Sequence, residues 1–121
     1  MESWLRMETL EGFKEMLGKL DIGQGRESEV EKRTIIYFSA EWCTPCKKLA
    51  PLLDKVVKKY AEDISFVKVD ADVEKSLAAF YNIQSVPTFV LLKTVSDWEI
   101  TPVTVNPQFL EDYFYKAVIK K

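Results

Sequence analysis

The sequence contains no histidine, which excludes every mechanism and metal site that depends on imidazole. Two cysteines are too few for an all-cysteine zinc site within one chain. There are 4 glycines, and neither G-x-x-x-x-G-K nor G-x-G-x-x-G occurs, so no phosphate-cradling loop is expected. No apolar run approaches the roughly 20 residues of a membrane span. The opening MESWLRMETLEGF lacks a basic start followed by an apolar stretch. No signal peptide is expected, and a soluble, cytoplasmic protein is the expectation. Lys plus Arg is 17 against 19 for Asp plus Glu, a formal charge of −2. That balance gives no electrostatic reason for nucleic-acid or membrane partners.

What is present is an ordinary globular composition, 47% hydrophobic and 30% charged over 121 residues. The length suits one domain, residues 1–121, with a real core. Leu10, Phe13, Met16, Leu17 and Leu20 are three or four apart and predict a helix. Ser3 to Met7 reads as a short strand before it, and Gly18 to Lys32 as a polar surface loop. Thr34 to Ser39, TIIYFS, predicts a strand buried on both faces. A long helix then starts near Cys43, with Leu49, Leu52, Leu53, Val56, Val57 and Tyr60 as its apolar stripe. Pro51 inside it predicts a kink. Ile64 to Asp70 reads as a strand and Val73 to Tyr81 as a short helix ended by a left-handed Asn82. Strands follow at Thr88 to Leu92 and at Trp98 to Val105. Asn106 then caps a last helix begun by Pro107, whose apolar face is Phe109, Leu110, Tyr113, Phe114, Ala117 and Val118. The order βαβαβαββα implies an α/β fold, a sheet covered by helices on both faces.

The segment Ala40-Glu41-Trp42-Cys43-Thr44-Pro45-Cys46-Lys47 carries the chemistry. It lies where a strand ends and a helix begins. Cys43 is then at the helix cap and Cys46 about one turn inside. Unpaired amides and the helix dipole favour negative charge there, so the Cys43 thiolate is the expected nucleophile. Cys46 is near enough to resolve a mixed disulfide formed at Cys43. Three blander readings stay open on the residues alone. A structural disulfide would close a four-residue loop for only about 2 kcal/mol. A metal half-site shared by two chains and a pair of inert buried thiols are the others.

The run FSAEWCTPCKKLAPLLDKV closely resembles thioredoxin, a family that usually has glycine where this chain has Thr44. The resemblance extends from Thr34 to Lys121 and includes Pro51, FVKVD and Val86-Pro87-Thr88. It implies the thioredoxin fold, with a central mixed sheet. It implies a thiol–disulfide oxidoreductase that reduces protein disulfides, with Cys43 and Cys46 catalytic. Pro87 is then a cis proline facing the cysteines, and the Val86 backbone is free to pair with a substrate peptide. Trp42, Thr44 and Pro45 complete the substrate-binding set. The residues alone leave Trp42 equally readable as a packed core aromatic, and Pro87 as an ordinary strand-start proline. No bound cofactor is needed, because the electrons reside in the dithiol. The implied partners are disulfide-containing proteins and an external reductase such as thioredoxin reductase, met by a monomer.

The chain also departs from the family. Tyr37 stands where thioredoxins commonly bury an acid. A phenol of ordinary pKa near 10 is a poor proton acceptor at neutral pH. Water or Glu41 is left to take the Cys46 proton, which predicts a slower or more pH-dependent resolving step. The loop Lys93 to Trp98 and the neighbourhood of Val105 and Asn106 lack the family's glycines, which puts docking of large partners in question. Lys47 and Lys48 raise the positive potential near the active thiol, although a solvated helix face is the simpler reading of Lys48. A scaffold rebuilt to bind one partner is therefore the alternative to an enzyme.

Overall fold

The computed structural model describes residues 6–7, 29–94 and 97–119. The strands are β1 (Arg6–Met7), β2 (Glu29–Ser39), β3 (Ile64–Asp70), β4 (Thr88–Thr94) and β5 (Asp97–Pro102). The helices are α1 (Thr44–Lys59), α2 (Lys75–Phe80) and α3 (Pro107–Ile119). The predicted helix over Leu10 to Leu20 lies outside the described residues, as does the Ser3 to Leu5 part of the first strand.

The strands form one sheet in the order β1-β3-β2-β4-β5. β1 and β2 run parallel to β3, whereas β4 is antiparallel to β2 and β5. The sheet is therefore mixed. β2 lies at its centre, and Ile35, Ile36, Tyr37 and Phe38 are all buried. Alternation along β2 sends these side chains to opposite faces. Ile35 and Tyr37 pack with Phe66 and Phe89 of the sheet and with Leu49, Leu53, Leu110 and Phe114 of α1 and α3. Ile36 and Phe38 pack with Val69, Val90 and Leu77, the last from α2. Helices thus cover both faces. Each fully buried Leu, Val or Phe contributes about 1.5–3 kcal/mol of hydrophobic stabilisation before entropy is counted.

The caps are local chemistry. The Asn106 side-chain oxygen accepts from the amides of Gln108 and Phe109 at 2.8 and 3.1 Å, so α3 starts where the Asn-Pro pair predicts. α2 ends with Asn82 at φ 55°. There the Ile83 and Asn82 amides donate to the Ala78 and Ala79 carbonyls, a Schellman closure.

Several predicted boundaries move. The stretch read as loop to Lys32 is strand from Glu29, which pairs with Thr94. β3 meets β2 only from Arg33 onward. A strand flank lacking a second neighbour can carry the charged EVEK run that masks it in sequence. α2 starts at Lys75 rather than Val73, because the Asp70 carboxylate takes the amides of Asp72 and Val73 into a turn. β5 ends at Pro102, short of Val105. The Val103 amide turns to the Pro87 carbonyl at 3.1 Å, where β4 has run out. The loop expected over Lys93 to Trp98 is mostly strand, with Thr94 opposite Asp97. Pro51 lies inside α1, as the sequence places it, and α1 runs as one helix from Thr44 to Lys59. The proline removes the amide that would bond the Lys47 carbonyl, and Lys47 is exposed.

Candidate active site

The C-terminal ends of parallel β2 and β3 and the start of β4 lie together at one end of the strands. β2 stops at Ser39 and α1 starts at Thr44, so the intervening residues form a tight strand-to-helix turn. The Cys43 amide donates to the Ala40 carbonyl at 3.1 Å and closes it.

Cys43 is the N-cap of α1. Its sulfur accepts the Cys46 amide at 3.2 Å. A sulfur here does what an Asp or Ser oxygen usually does at a helix start. Pro45 sharpens the arrangement, because it has no N–H to compete for the sulfur. Thr44 and Pro45 occupy the first positions of the helix and are exposed. Cys43 and Cys46 are joined as a disulfide with Cα atoms 5.2 Å apart. α1 has no acidic residue in its first turn, so the positive helix end faces the sulfurs uncompensated.

Around the pair, Ala40 and Val86 complete a small apolar cluster. The Val86–Pro87 peptide bond is cis. Pro87 is buried and Val86 half-buried against the cysteines. Among the described residues, neither backbone polar group of Val86 has a hydrogen-bond partner. Trp42 is 67% exposed, which settles it as a surface residue of the motif rather than a core aromatic. Its indole N–H donates to Asp72 at 2.6 Å.

Two residues behave differently from the simplest expectation. Cys43 retains 1% and Cys46 6% exposure, so the oxidised pair is covered rather than open. The sulfurs lie between the turn, the helix start and Val86, and the exposed rim belongs to Trp42, Thr44 and Pro45. Tyr37 is not in the cysteine cluster. It packs in the α1–α3 core, with ring centroids 5.9 Å from Phe66 and 5.7 Å from Phe89. Burial pushes its phenol well above the ordinary tyrosine range.

The sequence profile of the Thioredoxin family matches residues 24–109. The chain belongs to the thioredoxin family. Thioredoxin of Borreliella burgdorferi is 35% identical over 94 residues, covering 74% of this chain and 73% of that one. Thioredoxin-T of Drosophila melanogaster is 37% identical over 75 residues, 62% of this chain and 48% of that one. The chain thus spans about half the length of that second relative. Among solved structures, thioredoxin NaTrxh from Nicotiana alata superposes with a TM-score of 0.79 at 26% identity, over 98% of this chain and 96% of that one. The fold is the thioredoxin fold. The thioredoxin family and the paired cysteines together make the protein a thiol–disulfide oxidoreductase.

Sequence reasoning singled out Cys43, Cys46, Trp42, Thr44, Pro45, Val86 and Pro87, and all lie in this one neighbourhood. It missed Asp72, which holds Trp42, and Asp70, which shapes the turn that presents Asp72. The signal was the D-A-D sequence that ends the strand and opens the turn, an Asx-turn pattern. It also missed Val103, whose amide fastens the β5–α3 connection to Pro87.

Proposed function

We propose that the protein acts as a reductant of protein disulfides, with Cys43 as nucleophile and Cys46 as resolver. The observation that carries this reading is the Cys46 amide aimed at the Cys43 sulfur at the head of α1. In the dithiol state that amide and the helix end stabilise a Cys43 thiolate. The thiolate attacks one sulfur of the substrate disulfide. A Cys43–substrate disulfide forms, and the other substrate sulfur leaves as a thiolate that takes up a proton. Cys46 then loses its proton and attacks the Cys43 sulfur. The Cys43–Cys46 disulfide forms and the second substrate thiolate departs. Two electrons pass from the dithiol to the substrate.

Val86 supports the docking role, because its free backbone groups beside the cysteines can receive a substrate strand. Trp42, Thr44 and Pro45 form the exposed rim that such a strand meets. Regeneration of the dithiol requires an external reductase. A cytoplasmic, monomeric, one-domain protein fits this reading, and among the described residues no helix is long and apolar enough to cross a membrane.

The near-complete cover of Cys43 favours a second reading, a binding module without turnover. Dithiothreitol-driven insulin reduction separates the two. The reductase reading expects turnover by the native chain and none by Cys43→Ser. Equal rates for the two would establish the binding module. With Cys46→Ser the mixed disulfide cannot be resolved, so substrates accumulate as covalent adducts.

A further inference from the structure

Five lysines of α1, Lys47, Lys48, Lys55, Lys58 and Lys59, are exposed. At 3.6 residues per turn they fall on one flank of the helix, opposite the buried Leu49, Leu53 and Val56. Those at the far end are neutralised. Lys58 pairs with Asp54 at 3.3 Å and Lys59 with Glu111 at 3.1 Å. Lys47 and Lys48, directly after Cys46, and Lys55, two turns farther along the same flank, have no ion pair with any described residue.

This distribution opposes what helix stability prefers. A helix N-terminus favours anions and is disfavoured by cations. Yet α1 has no acid in its first turn and places two lysines directly after Cys46. It does so in a chain whose net charge is −2. A local rule broken beside a functional site, with the same residue type paired off farther away, points to a use for the free charge. The other flank of the pair has the opposite sign, with Glu41 and Asp72 exposed beside Trp42. The two acids nearest the motif thus lie on the Trp42 side, and the unpaired α1 lysines on the helix side.

We propose that the Lys47–Lys48–Lys55 flank docks the acidic surface of a protein substrate beside its disulfide, so that the enzyme selects disulfides neighboured by carboxylates. The proposal rests on the reductase reading and names its substrate class. Lys47 and Lys55 are eight residues apart, about 12 Å along the helix. The complementary surface is thus a patch of carboxylates rather than a single one. Several charges acting together at close range raise encounter rates where one exposed pair contributes little.

The test uses the full chain with dithiothreitol and two disulfide peptides of identical core, one flanked by glutamates and the other by glutamines. The measured quantity is the ratio of their kcat/KM values, from which any change in thiol reactivity cancels. At about 0.01 M salt, with a Debye length of roughly 30 Å, the glutamate peptide is expected to be favoured about tenfold. At about 1 M salt, with a Debye length of roughly 3 Å, the ratio falls towards one. Lys47→Gln/Lys48→Gln/Lys55→Gln brings it towards one at low salt as well. Lys55→Gln alone, more than two turns beyond Cys46, lowers it by about twofold. A ratio near one in the native chain, or a preference that survives the triple substitution, overturns the docking flank. A preference untouched by Lys55→Gln also overturns it as drawn. Reduction of neither peptide removes the reductase reading itself and the docking flank with it.

Discussion

The indole N–H of Trp42 donates to a carboxylate oxygen of Asp72 across 2.6 Å, thirty residues apart in sequence. The bond ties the motif turn after β2 to the turn after β3. Asp72 is itself held, because its amide donates to the Asp70 carboxylate at 2.8 Å. The Ala71 amide meets the Ser39 carbonyl at 2.8 Å and joins the same two turns through the backbone. Trp42 is thus exposed and oriented at once.

Asp72→Ala is expected to release the Trp42 ring while the backbone tie remains. Because the bond is exposed, the stability change should stay within about 1 kcal/mol. The kcat/KM for insulin reduction should fall several-fold, with a smaller effect on a small-molecule disulfide. Equal loss for both substrates would show that Asp72 acts on the thiols rather than on docking.

Tyr37 separates two contributions to the resolving step. Its buried phenol stays protonated at every physiological pH, since burial raises its pKa. Tyr37→Phe should therefore leave the pH–rate profile of disulfide reduction unchanged. Tyr37→Asp places the buried acid common in the family beneath α1, the helix that carries Cys46, at a cost of several kcal/mol in stability. The expected outcome is a faster reaction near neutral pH and a displaced profile. An unchanged rate and profile in Tyr37→Asp would contradict the assigned role.

Tyr81 provides an alkaline test of the second core. It is 1% exposed, and burial pushes its phenol up to about 12. A raised folded pKa means that the unfolded chain loses the proton first, at its ordinary value near 10. Stability from this group is full below pH 10 and is lost as pH rises towards 12. Each such phenol adds a slope of up to about 1.4 kcal/mol per pH unit in that window. Urea denaturation at stepped pH should show the decline, and Tyr81→Phe should make it shallower.

Asn82 adopts φ 55°, a conformation that costs a residue with a Cβ about 1–2 kcal/mol and glycine almost nothing. Asn82→Gly should keep or slightly raise stability, and Asn82→Ala should lower it by about 1 kcal/mol. Chemical denaturation of the two variants would test this ordering.

Much of this was legible because the signals are local. TIIYFS announced a strand buried on both faces, and all six residues are buried. Asn106-Pro107 announced a helix start, and the cap bonds are there. The Cys43 cap followed from a strand giving way to a helix at the motif. The failures concern contacts between distant segments. EVEK looked like a loop because its charges outweigh strand propensity, and only pairing with Thr94 makes Glu29 part of β2. Val73 looked helical by spacing, but the Asp70 side chain holds it in the turn. The partnership of Asp72 with Trp42 depends on two turns meeting in space, which neither segment encodes alone. The cover over Cys43 arises in the same way, from Val86 of a later segment.

Under the proposed mechanism the head of α1 makes Cys43 an ionised, reachable nucleophile once the disulfide is reduced. The rate of Cys43 alkylation by iodoacetamide in the reduced Cys46→Ser chain, followed against pH, tests it directly. The account expects an inflection clearly below the free-cysteine value of about 8.5. An inflection at that value, or a thiol that resists alkylation in the folded protein, would contradict it.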